Sequence, residues 1–473
     1  MLIGRQPEIE VLHTALRSDT AEMIAVIGRR RVGKTFLIDQ IYGDHIVFQQ
    51  TGVRYAPPDR QLRTFANKLS LLTGSNPIEL KDWLDAFFQL RLAIEALPKT
   101  NKKAVIFFDE LSWLATPEGE FIDYLAHFWN DWAHRQKLVI VLCGSVSSWI
   151  INKVINDKGG LHNRVTRYIH LKPFDCTETA QFLESRNINF STRQIFQLYM
   201  TTGGIPLYLE DLKPGYSLTE NIDELCFTQT GLLHEEFNRL YPALFEDAHF
   251  HVETIRTLAT APRGLSRKQI IKQSSLPNGG TTSRILDELQ QSDFIESVPA
   301  FGNKKTKQIY RLIDEYSLFY LRFIENNKLS GPGTWLQLSQ GQSYNIWSGY
   351  AFESLCFKHI LQIKKALGIS GVSTSISSFS HAGDETNPGL QIDMLIERAD
   401  QAIHLCEIKF YRAEYRLNKK RIDEIQEKTD RFISLTKTSY QVIPTLIVGG
   451  AFRENELSSS SGIRIIDAEA FLK

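Results

Sequence analysis

No stretch of the 473-residue chain approaches the ~20 consecutive apolar residues that a membrane span needs. The opening MLIGRQPEIEVL interrupts its apolar run with charges, which a secretion signal does not do. Cysteine is scarce: Cys143, Cys176, Cys226, Cys356 and Cys406 are odd in number, scattered and without metal-ligand spacing. That excludes a disulfide framework or a cysteine zinc site, and predicts small buried hydrophobes in a reducing compartment. A surplus of either charge is missing too, since 54 Lys and Arg balance 54 Asp and Glu. A protein that coats a polyanion with its whole surface is therefore disfavoured, while a local basic patch is not. No internal repeat is present. These absences lead us to expect a cytoplasmic protein with no membrane partner.

What is there is an ordinary globular composition, 42% hydrophobic and 23% charged, on a chain long enough for about three domains. Residues 23–28, 104–108 and 138–143 are short apolar runs separated by longer helical patterns. That predicts an α/β fold with a parallel sheet covered on both faces. From about 174 to 245 the pattern is helical, broken by Gly203-Gly204-Ile205-Pro206. Residues 250–313 read as three helices (251–260, 266–274, 281–291) and two strands (294–298, 308–312) around a loop, 300–307. This is a helix-turn-helix followed by a β-wing. Residues 328–345 carry Gly, Pro and Ser and read as a linker. The remainder, 346–473, begins with a helix (350–367), then a hairpin (390–409), a charged helix (413–436) and a strand (442–448).

The sharpest motif is Gly28-Arg29-Arg30-Arg31-Val32-Gly33-Lys34-Thr35, which fits G-x-x-x-x-G-K-[ST] between an apolar strand and a helix. Gly28 and Gly33 let the backbone bend and aim its N–H groups at phosphates. Lys34 puts a cation at the β/γ oxygens, and Thr35 offers a hydroxyl to Mg²⁺ at a helix N-terminus. Asp109 and Glu110 end the 104–108 strand, where Asp109 holds the Mg²⁺ shell and Glu110 polarises the attacking water. Ser145 ends the next strand, and is either a sensor of the γ-phosphate or water, or a turn serine. The cofactors expected are ATP and Mg²⁺.

Together with this loop, IGRQPEIEVL (3–12), FFDELSWL (107–114), CGSVSSWI (143–150), NRVTRYIHLKPF (163–174) and GGIPLYL (203–209) resemble, in order, the bacterial and archaeal AAA-type ATPases known as the archaeal ATPase family. The resemblance covers about 3–209. It implies an ATPase core over 1–173, a helical lid over 174–248, a winged helix over 249–328 and, in many members, a nuclease-like domain, here 346–473. Arg164 and Arg167 match the family's arginine pair ahead of the L-x-P-F strand. Such an arginine can act as a finger on the nucleotide of a neighbouring subunit, which requires a homo-oligomer, or be a surface residue paired to an acid. The chain has His162-Asn163 where the family commonly has Tyr-Gly.

Ten basic residues, among them Arg263, Arg267, Arg284 and Arg311, face five acids between 251 and 313. In a DNA-binding winged helix, Thr281, Thr282 and Arg284 would open the helix that enters the major groove. Lys304, Lys305 and Lys307 would tip the wing onto phosphates. A protein-docking module with a solvated basic face is the other reading.

In the last segment, Asp393 in LQIDMLIE precedes Glu407 and Lys409 in HLCEIKF. Glu407 and Lys409 share a strand face. A hairpin closed near Ala399-Asp400 sets Asp393 level with Glu407. Two carboxylates side by side suit Mg²⁺, with Lys409 offsetting developing charge. This resembles the PD-(D/E)XK nuclease superfamily, whose helix-borne acid Glu353 matches and whose leading proline is Ile392 here. We therefore expect an ATP-hydrolysing protein that binds nucleic acid, DNA ahead of RNA, and cleaves phosphodiesters. The alternative is a nucleotide-driven regulatory or defence-associated switch whose C-terminal domain is structural or acts on RNA.

Overall fold

The computed structural model describes every residue except 1, 99–101, 117–118, 157–158, 300, 303–307, 329–330, 384–387 and 473. Two compact units divide the chain, Met1–Pro173 and Phe174–Lys473.

The first unit is built on five strands: β1 (Glu22–Ile27), β2 (Ile46–Thr51), β3 (Ala104–Asp109), β4 (Leu138–Cys143) and β5 (Arg167–His170). They lie in the order β2-β3-β4-β1-β5, and each pairing is parallel. Every residue of β1 and β4 is buried, which explains their unbroken apolar runs. Met23, Ala25 and Ile27 join one core cluster with Phe65, Trp83, Phe87, Phe108 and Phe121. Ile24 and Val26 alternate to the opposite face. The aromatic rings meet mostly edge-on, Trp83 and Phe121 at 4.7 Å and 89°. None of the seven tryptophans of the chain is exposed.

The second unit opens with helices, including Cys176–Ser185 and Thr192–Thr202, each started by a reciprocal capping box. Next come helices His249–Ala259, Arg267–Gln273 and Gly280–Gln291 with a small sheet. Its strands β6 (Leu265–Ser266), β7 (Ile295–Pro299) and β8 (Gln308–Leu312) run in the order β6-β8-β7.

The expected linker at 328–345 is corrected. Helix Thr334–Gln340 lies within it, and Trp335 is 2% exposed against Phe227, Phe319 and Trp347. The Asp223 carboxylate accepts the N–H groups of Gly333 and Trp335, both at 2.7 Å, which starts that helix. An apolar tryptophan outweighed the Gly/Pro signal around it.

The last sheet has the order β13-β12-β11-β10-β9, from β9 (Thr374–His381), β10 (Leu390–Arg398), β11 (Ala402–Lys409), β12 (Gln441–Val448) and β13 (Arg464–Ile466). Strands β9, β10 and β11 are antiparallel, and β11, β12 and β13 parallel. Helix Gln342–Lys358 packs on β11, while helix Lys419–Thr436 packs on β10 and β12. The expected helix 350–367 is two, divided at His359. This histidine is fully buried: its Nδ1 donates to Leu355 O at 2.8 Å, and its Nε2 accepts the Cys176 N–H at 3.0 Å. Burial lowers its pKa to about 4, so the ring stays neutral.

Candidate functional site

The glycine-rich loop leaves β1 at Gly28, where φ is 145° and a Cβ would stand 2.1 Å from the Leu171 carbonyl oxygen. No side chain fits there, which is why glycine occupies the position. Arg31 (φ 73°) and Gly33 (φ 89°) turn the loop, and helix Lys34–Tyr42 begins at its end. Arg29 and Val32 are buried and Arg30 is exposed. The Lys34 ammonium donates to the carbonyls of Gly28 and Arg29, both at 2.8 Å. It thereby braces the loop from the position a phosphate oxygen would share. Thr35 Oγ1 donates to Asp109 Oδ2 at 2.8 Å, joining the helix start to the end of β3. This pair of hard oxygen donors fits Mg²⁺, which when bound would supply positive charge to the phosphates.

Glu110 has φ 47°, a left-handed backbone rare for this residue type. Its carboxylate accepts the Ser145 hydroxyl at 2.6 Å and the Ser145 N–H at 3.2 Å. Ser145 therefore holds Glu110. The buried Cys143 thiol at the end of β4 is pushed well above its usual pKa, by burial first and by the Asp109 charge second.

Arg167, expected either as a finger on a neighbouring subunit's nucleotide or as a residue paired to an acid, is paired to an acid within its own subunit. It pairs with Ile24 in the β5–β1 register, and its guanidinium meets Glu22 at 3.0 Å, at the start of β1. The P-loop leaves the opposite end of that strand. Burial would raise the Glu22 carboxyl, but bonds from Thr166 and Arg167 outweigh it and hold the pKa below the ordinary value. Arg164 is exposed in the loop ahead of β5. Asn163 there has φ 55°, so asparagine adopts the backbone that favours glycine, and the His-Asn departure leaves that turn possible. A residue that sequence reasoning passed over is Arg5, buried, whose guanidinium donates to the Val32 carbonyl at 3.5 Å.

In the second unit, Met394 lies opposite Cys406, so Asp393 follows in line with Glu407. The hairpin turns between Arg398 and Ala402, with Gln401 at φ 65°. Asp393 Oδ2 accepts the Ile408 N–H at 2.9 Å. Lys409 Nζ lies 2.8 Å from Glu407 Oε1 and 3.5 Å from Asp393 Oδ2, bridging the two carboxylates. Lys428 Nζ reaches Glu407 Oε2 at 2.6 Å, and Arg421 stands 3.9 Å from Glu407. Burial opposes the Glu407 charge, yet these lysines hold its pKa below normal. Burial likewise opposes the Lys409 charge, and Asp393 and Glu407 raise its pKa.

Glu353, Asp393, Glu407, Lys409 and Lys428 line one cleft of about 350 Å³. Burial, then repulsion from Asp393, raises Glu353 to about 7. Among the described residues no three His, Cys, Asp or Glu form a ready metal cage. The donor chemistry still fits: two carboxylates already share one cation, and a hard divalent ion suits such oxygens. Asp393 and Glu407 would hold it, and when bound it would supply an activated water. Lys428 was missed by sequence reasoning. Its signal was the helical spacing from Arg421, two turns away on one face.

Of the residues expected to touch nucleic acid, Thr281 and Arg284 are exposed, Arg284 with Glu288 at 3.1 Å. Thr282 is corrected: it is fully buried and its hydroxyl donates to the Pro277 carbonyl, so it faces the core. Lys304, Lys305 and Lys307 lie outside the described residues.

A strand-loop-helix phosphate cradle, Asp109 bonded to Thr35 at its end and a parallel sheet of order β2-β3-β4-β1-β5 resemble the nucleotide-binding domain of P-loop ATPases. In keeping with that class, residues 2–212 match the family described as an ATPase domain predominantly from Archaea. An uncharacterized protein of Methanocaldococcus jannaschii is 22% identical over 390 residues, covering 81% of this chain and 83% of its own. Among solved structures, the chain is similar to the Walker-type ATPase of Pyrococcus abyssi, with a TM-score of 0.49, 16% identity, and coverage of 68% of this chain and 96% of the other. It is also similar to the ORC2 protein of Aeropyrum pernix in ADPNP–ADP complexes, with a TM-score of 0.41, 16% identity, and coverage of 68% and 92%. Among the described residues no helix is long and apolar enough to cross a membrane.

Proposed function

We propose that the chain hydrolyses ATP at the Gly28–Thr35 loop and cleaves phosphodiester bonds of nucleic acid in its second unit. The observation that carries the second activity is the row Asp393–Lys409–Glu407 on neighbouring strands, with Glu353 in the same cleft. Carboxylates that close to one lysine are suited to hold Mg²⁺ and place a phosphate beside it. In this reading residues 249–328 are a winged helix that binds nucleic acid, and the helices of 174–248 are the lid of the ATPase.

The decisive experiment incubates the protein with plasmid, linear DNA and RNA, with Mg²⁺ or Mn²⁺, with and without ATP, beside Asp393→Ala and Lys409→Ala. Metal-dependent cleavage lost in both variants, with ATPase activity intact, is the expected result. No cleavage of any substrate would overturn it.

One observation favours a second reading, a nucleotide-driven switch whose last domain is structural. Glu407 is engaged by both Lys409 and Lys428, an arrangement that also serves as a closed ion-pair network. Nucleotide-dependent retention of DNA without cleavage would support that reading.

A further inference from the structure

The cleft around Asp393 is not walled by the last domain alone. Arg263, in the turn between helix His249–Ala259 and β6, lines it together with Glu353, Gln391, Asp393 and Lys409. The turn is closed by the Gly264 N–H on the Ala261 carbonyl, at 2.7 Å. Gly264 has φ 87°, and a Cβ there would come within 2.5 Å of the Tyr310 carbonyl oxygen on β8. The backbone that presents Arg263 is thus pressed against the small sheet, and its position is set by that sheet.

Arg263 is exposed, and its guanidinium lies 5.8 Å from the centre of the Tyr350 ring, one turn before Glu353 on the same helix. Arg311 lies on β8 of the small sheet. It is 5% exposed and stacks at 4.2 Å over Phe357, one turn after Glu353. Its Nε is buried with no hydrogen-bond partner. Its charge and that of Arg263 both act on the Glu353 carboxyl, so the two arginines and that acid share one electrostatic environment. Two arginines, one from the turn before β6 and one from β8, thus stand along the helix that carries Glu353.

We infer that Arg263 is a phosphate-binding residue of the cleavage site: the winged helix donates it to grip a phosphodiester next to the one attacked, with Arg311 as a buried positioning residue. The inference rests on the nuclease reading. Its chemistry is the fork of guanidinium N–H groups on two phosphate oxygens, which lysine reproduces only as a point charge. The winged helix is then a wall of the active site as well as a surface for nucleic acid.

The test compares wild type, Arg263→Ala and Arg263→Lys in the full chain. Arg263 is exposed, so these variants leave the core untouched. Cleavage of a labelled 20-nucleotide duplex DNA and of the matching RNA is measured with Mg²⁺. Binding of the same strands is measured by fluorescence anisotropy with Ca²⁺ across a salt series. The expected result for Arg263→Ala is a KM raised about tenfold with a far smaller change in kcat, and a salt slope of binding lowered by about 1. Arg263→Lys should recover part of the KM. Wild-type cleavage with unchanged KM and salt slope in Arg263→Ala would overturn the inference and leave the nuclease reading standing. If the wild type does not cleave, the nuclease reading fails and the binding series decides: a weaker Arg263→Ala supports the phosphate contact, and equal or absent binding overturns it. The DNA and RNA arms identify the polymer that the arginine grips.

Discussion

The left-handed backbone at Glu110 costs a non-glycine residue about 1–2 kcal/mol, and such strain persists where the surroundings over-determine it. Here the surroundings are two bonds from Ser145. Glu110→Gln should keep ATP affinity while kcat falls at least about 100-fold, measured by phosphate release beside equilibrium nucleotide binding. Lys34→Ala should lose binding as well, and full turnover in that variant would remove the P-loop assignment. His359 makes a different claim. Its folded pKa of about 4 lies below the unfolded value of about 6.5, so the unfolded chain takes up the proton first as pH falls. Stability is full above pH 6.5 and declines from there towards pH 4, by about 3 kcal/mol for this group alone. Urea unfolding at pH 7.5 and pH 5 should show a shallower decline in His359→Gln than in the wild type.

Elements differ in how plainly they announce themselves. In the two large sheets, the strands legible from sequence are the interior ones, β1, β3 and β4, then β10, β11 and β12. The edge strands β2 (IVFQQT), β9 (TSISSFSH) and β13 (RII) carried no such signal, and β5 lies just before the expected Leu171–Phe174 segment. An edge strand buries less of its surface, so polar residues survive in it and the apolar run dissolves. The site followed the same logic. Residues carried by a motif at short spacing, Gly28–Thr35 or Glu407–Lys409, could be read. The contact of Arg5 with Val32 and the placement of Arg263 depend on segments distant in the chain, and the helical spacing of Lys428 from Arg421 does not by itself name Glu407 as its partner. The helix Thr334–Gln340 was hidden by the glycines that flank it, although Trp335 anchors it. Trp335→Ala should therefore cost about 3–5 kcal/mol, read as a lower urea midpoint, where a true linker would tolerate the change.

At the scale of the molecule, the last sheet depends on what precedes it within Phe174–Lys473. Phe301 packs against Phe379 and Phe432, with ring centres at 6.1 Å and 5.2 Å. Phe196 meets Phe352 and Phe471 at 5.6 Å and 5.5 Å. A fragment beginning at 346 loses Phe196, Phe301 and Trp335 together. It should melt at a lower temperature than a 174–473 fragment, as followed by circular dichroism, and equal melting would show that the sheet is autonomous. The cysteines noted at the outset have one practical consequence. All five are buried and unpaired with one another, and burial pushes every one of their thiols above the usual pKa. A cysteine introduced on the surface, at Arg284 or beside the cleft, would thus be the one site that a maleimide dye reaches in the native protein. Distances during nucleotide turnover can be followed by fluorescence without first stripping the chain of its own sulfur.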